Sequence, residues 1–124
     1  MDYCKAMRVN VSSSITLSGS TLTATATPTA RSETPASETF VENTQIIGIT
    51  VEPLVVGDIG TVGWLFAVNN DVTNSVVLTG EADGTKPFAK LLPGQFCCVP
   101  AASATFYAKA NVAPVSLSYI ATSL

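Results

Sequence analysis

The feature that most restricts how this chain can fold is a two-residue alternation of apolar and hydroxyl side chains. Met7, Val9 and Val11 alternate with Arg8, Asn10 and Ser12, and Ile15 and Leu17 with Thr16 and Ser18. After the turn signal Gly19-Ser20, Leu22, Ala24 and Ala26 alternate with Thr21, Thr23, Thr25 and Thr27. Successive side chains of an extended strand point to opposite faces, so each segment gains one apolar and one polar face. The pattern predicts two strands around a hairpin near the N-terminus. No stretch has a sustained helical period, and a single helical turn over Leu54–Ile59 is the only helix expected.

The remaining segments follow from the same rule. Pro28 to Ser37 holds two prolines among Ser and Thr, which oppose regular pairing and predict a loop. Phe40 to Glu52 reads as a strand region. Pro53 ends it or marks an edge, because proline cannot donate to a ladder. The glycine-rich connection Gly57–Gly63 leads into Trp64-Leu65-Phe66-Ala67-Val68, an apolar run suited to a strand buried on both faces. Asn69-Asn70-Asp71 and Glu81-Ala82-Asp83-Gly84 are turn signals, and Pro93-Gly94 fits the central positions of a type II turn. Between and beyond them, strands are expected over Ser75–Thr79, Phe88–Leu92, Gln95–Val99, Thr105–Ala110 and Val115–Ala121. From Trp64 onward a turn falls roughly every ten residues, the spacing of an antiparallel sandwich or barrel. The expected fold is all-β: an antiparallel β-sandwich, jelly-roll-like or Ig-like, with about eight strands. Its predicted core contains Trp64, Leu65, Phe66, Val68, Phe96 and Leu117.

With 124 residues, the chain has the length of one domain. We assign residues 13–124 to a single sandwich, with residues 1–12 as an N-terminal arm or edge strand. Only 12% of residues are charged, about half the usual share. A weakly charged, hydroxyl-rich surface loses its water at low cost, which suits broad protein contacts. It equally suits a β domain that uses threonine for strand propensity.

Several function classes drop out at this level. The chain has no histidine, which removes histidine-based triads and the commonest metal ligand. Its carboxylates are scattered over turns and polar faces, so no acid pair stands out for glycoside hydrolysis. Gly57–Gly63 lacks the Gly-Lys-Ser/Thr of a phosphate loop. Cys4, Cys97 and Cys98 form no disulfide framework, and the adjacent pair reads as two strand residues on opposite faces. Net charge is −3 with six scattered basic residues, a poor match to a phosphate backbone. No enzyme activity, metal, cofactor or nucleic-acid partner is expected. No apolar run is long enough for a transmembrane helix, and the first residues lack the pattern of a signal peptide, so synthesis in a cytosol is expected.

The stretch from Gly57 carries a more specific signal. It reads Gly-Asp-Ile-Gly-Thr-Val-Gly-Trp-Leu-Phe-Ala-Val-Asn-Asn-Asp-Val-Thr-Asn, then Lys-Leu-Leu-Pro-Gly-Gln-Phe, then Phe-Tyr-Ala-Lys-Ala-Asn and Val-Ser-Leu-Ser-Tyr. Over roughly half the chain this resembles small virion structural proteins of tailed bacteriophages. The resemblance rests on turn and strand signatures, with no catalytic residues to carry over. It implies a capsid decoration or cement subunit on the virion surface. Such a subunit binds the major capsid protein or other virion proteins, preferably as a homotrimer, after synthesis in a bacterial host. The alternatives are a fibre or spike component, or a module that binds host glycans through aromatics such as Trp64, Phe66, Tyr107 and Tyr119. For the subunit interface, the expected contributors are Met7, Arg8, Val9 and Val11 in the arm, and Arg31 and Phe40 at and beyond the proline-rich loop.

Overall fold

A computed structural model describes residues 9–12, 15–18, 23–26, 31–33, 40–57, 59–103 and 105–123. The chain divides into two compact units, residues 1–35 and 36–124. In the first, β1 (Val9–Val11) pairs antiparallel with β4 (Arg31–Glu33), and β2 (Ile15–Ser18) pairs with β3 (Thr23–Ala26). The β2–β3 pairing matches the hairpin expected around Gly19-Ser20. β4 corrects the reading of 28–37 as loop throughout. Its three residues fit between Pro28 and Pro35, where no proline interrupts the ladder.

The second unit contains β5 (Phe40–Ile47), β6 (Glu52–Pro53), β7 (Val62–Asn69), β8 (Val76–Thr79), β9 (Pro87–Leu91), β10 (Phe96–Ser103), β11 (Tyr107–Ala110) and β12 (Val115–Ser123). These form two four-stranded antiparallel sheets, ordered β10-β7-β12-β5 and β6-β11-β8-β9. The pairings are nested. β8 pairs with β9, β7 with β10, β6 with β11 and β5 with β12. A long antiparallel ribbon rolled up in this way is a jelly roll, so the fold is an antiparallel β-sandwich of that topology. Pro53 lies on an edge strand, as a residue without an amide hydrogen must.

Clean alternation directs one face of each long strand inward. On β12, Val115, Leu117, Tyr119, Ala121 and Ser123 are buried, and on β7 Leu65, Ala67 and Asn69 are buried. They meet Val76, Leu78, Leu91, Ala108 and Ala110 of the opposite sheet in one core. Tyr119 also carries a polar network to the sandwich edge. Its hydroxyl lies 2.6 Å from the Val55 carbonyl, which it bonds, and accepts from Asn43 Nδ2 at 3.1 Å. Gln45 Nε2 extends the network to Glu52 at 2.9 Å and to the Pro53 carbonyl at 3.1 Å.

The turns obey their local chemistry. Gly94 has φ 79°, and Gln95 N–H donates to the Leu92 carbonyl at 2.9 Å, closing the turn expected at Pro93-Gly94. Asp71 accepts from the backbone N–H groups of Thr73 and Asn74. These bonds hold its carboxyl below the ordinary value of 3.8. A depressed folded-state value adds stability above the unfolded value and loses it as pH falls through the folded one. We therefore expect the melting temperature to drop below about pH 4, and to drop less steeply in Asp71→Asn, as read by thermal unfolding between pH 2.5 and 6. Among the described residues of 54–59 no helix forms: Gly57 takes φ 60°, outside the right-handed helical region, and Ile59 N–H donates to the Val56 carbonyl at 3.4 Å, closing a tight turn instead.

Candidate functional site

The outward face of the β10-β7-β12-β5 sheet is unusually apolar. Hydrogen-bond register aligns its outward residues in rows: Pro100, Trp64, Thr122 and Phe40; Cys98, Phe66, Ile120 and Glu42; Phe96, Val68, Ser118 and Thr44. Ile46 follows on β5. Phe40 is 60% exposed, Ile46 64%, Phe66 37%, Phe96 62% and Ile120 38%. With roughly 200 Å² for a whole side chain of this size, these five residues present roughly 500 Å² of apolar surface to solvent. Summed over the face and interleaved with Glu42, Thr44, Ser118 and Thr122, that is comparable with the larger apolar areas of monomer surfaces. Phe66 and Phe96 pack across adjacent strands with ring centroids 5.8 Å apart and planes tilted by 33°. Glu42 is the single charged side chain in these rows. Thr44 Oγ1 and Ser118 Oγ are 2.8 Å apart, and Asn70 Nδ2 donates to Ser118 Oγ at 2.6 Å, so the polar groups near the patch already bond one another.

This geometry corrects part of the predicted core. Leu65 and Leu117 are fully buried, but Phe66 and Phe96 are exposed, and Trp64 and Val68 are half-buried. The apolar run of β7 is covered on one face by the second sheet, while its other face looks outward. Trp64, Phe66 and Val68 fall on the outer face because Leu65 and Ala67 fall on the inner one.

The expected interface residues separate. Met7 and Arg8 lie outside the described residues. Val9 and Val11 lie in β1, and Arg31 stands opposite Val11 in β4, so residues 9–11 already have a partner strand within the chain. Phe40 sits on the apolar face of the second unit. Sequence reasoning missed Ile46, and it missed Ile120 as an exposed residue. Their signal was present as apolar side chains on the hydroxyl-bearing faces of β5 and β12.

Cys97 and Cys98 divide between faces as their adjacency predicts. Cys97 packs against the core, and Cys98 lies on the outer face beside Phe66. Burial pushes both thiols up, so neither is a ready nucleophile at neutral pH. Among the described residues, no group of three or more Cys, Asp or Glu side chains converges as a metal site.

Thr122 Oγ1, between Trp64 and Phe40 in register, is buried without a hydrogen-bond partner among the described residues. Thr122→Val keeps the shape and removes that hydroxyl, and should stabilise the unit by about 1 kcal/mol. A rise in the urea midpoint at constant slope would register this gain.

Compared with protein families, characterised proteins and solved structures, the chain matches none.

Proposed function

We propose that this protein is a non-enzymatic structural subunit of a bacteriophage virion. In this reading it is a capsid decoration or cement protein that binds the major capsid protein and stabilises the head. The observation that carries the reading is the apolar outer sheet face. Such a face favours association, and the occupant we assign to it is a second copy of the chain within a homotrimer. Its roughly 500 Å² of exposed apolar surface, with the polar residues around it, approaches the roughly 800 Å² per partner of a stable interface. Low charge keeps the desolvation cost small. Jelly rolls recur in viral capsid proteins, which supports the reading by analogy of fold. The resemblance from Gly57 onward points the same way.

Two measurements test it. Native mass spectrometry of the purified protein should give a trimer at micromolar concentration, and a monomer throughout would remove the assigned occupant. Quantitative proteomics of phage particles should find the chain in copy numbers comparable to the major capsid protein. A handful of copies per particle would favour a fibre or spike component instead.

A further inference from the structure

The opposite sheet carries a different surface. Residues 36–124 contain three basic side chains, Lys86, Lys90 and Lys109, against seven acidic ones. All three fall on the β8–β9 hairpin or on β11. Lys109 pairs in register with Val77, and Val77 with Lys90, so the two lysines flank one valine across three strands. Their Cα atoms lie roughly 10 Å apart, two strand spacings. Neither has an ion-pair partner among the described residues.

These residues line a cleft of about 310 Å³, completed by Ser75, Gly84, Ala110 and Asn111. The loop that supplies Gly84 is held by its own bonds. Thr79 Oγ1 donates to the Thr85 carbonyl at 2.6 Å and accepts from Glu81 N–H at 3.0 Å. The neighbouring acid, Asp83, is occupied by Thr85, whose N–H and hydroxyl both donate to its Oδ1 at 3.0 and 2.7 Å. Ser75, 7% exposed, lines the cleft, and its carbonyl accepts from Asn111 N–H at 3.1 Å, which fixes the two residues side by side. Adjacent hydroxyl and amide side chains in a cleft are places for a ligand to bond.

We propose that this cleft binds a carboxylate-bearing sugar residue. The two ammonium groups take the carboxylate, Val77 takes an apolar face of the ring, and the Ser75 hydroxyl and Asn111 amide bond the sugar hydroxyls. A bare phosphate would use the charge but leave Val77 and Ser75 without a role. Lysines attract either anion as point charges, so the ring contact and the hydroxyl bonds, not the ammonium groups, set the preference for a sugar acid.

The test is a titration of the isotope-labelled full chain with D-glucuronate, followed by amide NMR shifts, with D-glucose and inorganic phosphate as parallel arms. Glucuronate should move the amides of Ser75, Lys90, Lys109 and Asn111 with a dissociation constant in the millimolar range, about what so small and open a site allows. The Lys90→Ala/Lys109→Ala variant should weaken binding at least tenfold while leaving resonances far from the cleft in place. Absence of shifts with glucuronate would overturn the proposal. So would equal shifts of the same amides by phosphate, which mean charge attraction alone, or by glucose, which mean that the lysines play no part.

Discussion

Replacing Asn69 with leucine is expected to lower the stability of the sandwich by roughly 3–5 kcal/mol, the range for breaking a buried polar network. Asn69 closes β7 and is fully buried. Its Nδ2 donates to the Asn74 carbonyl at 2.9 Å and the Leu91 carbonyl at 3.0 Å. Its Oδ1 accepts from Asp71 N–H at 2.8 Å. The backbone adds two bonds, from Asn69 N–H to the Gln95 carbonyl at 2.9 Å and from Gly94 N–H to the Asn69 carbonyl at 3.0 Å. One residue thus joins the end of β7, the turn after it, the end of β9 and the turn before β10. Leucine fills similar space but leaves two carbonyls and one amide hydrogen without their partners, the Leu91 carbonyl in a buried position. Equilibrium urea unfolding reads the effect as a fall in midpoint. Asn70→Ala, at an exposed neighbour, should change stability by about 1 kcal/mol or less. If the two variants lose equal stability, Asn69 is not the hub described.

The second large effect concerns association. The double substitution Phe66→Lys/Phe96→Lys should weaken self-association by about a hundredfold or more, since each buried phenylalanine is worth roughly 1.5–3 kcal/mol and each new ammonium must be desolvated. Both rings stand on the outer face, so the fold itself should survive, and the thermal transition of the variant monomer should stay cooperative. Analytical ultracentrifugation over a concentration series separates the cases. A control at Val72, which is 91% exposed on the loop after β7, should leave the oligomer unchanged as Val72→Lys. An oligomer of full affinity in the double variant would exclude the outer face as the contact.

Much of the fold was legible because strand and turn signals are local. The alternation in Val115–Ala121 needs no partner to be read, and it became one of the two inner strands of its sheet. Pro93-Gly94 carries its turn in two residues, since proline presets its own φ and glycine accepts the positive one. The candidate site was less legible. Phe66 and Phe96 read as core because an aromatic side chain looks the same in sequence whether its face is covered or open. The cleft between Lys90 and Lys109 was invisible, because nineteen positions separate residues that register places on either side of Val77.

The alternation that first narrowed the fold therefore determined that the chain forms strands, where they turn, and which side chains share a face. Those properties follow from backbone geometry within a few residues. Which face is inward was decided only when eight strands nested into two sheets. On β7 both faces are apolar, so periodicity alone could not choose between Leu65 with Ala67 and Trp64 with Phe66. The opposing sheet chose, by covering the first pair and leaving the second pair facing outward. That choice created the apolar surface on which the proposed role in particle architecture rests.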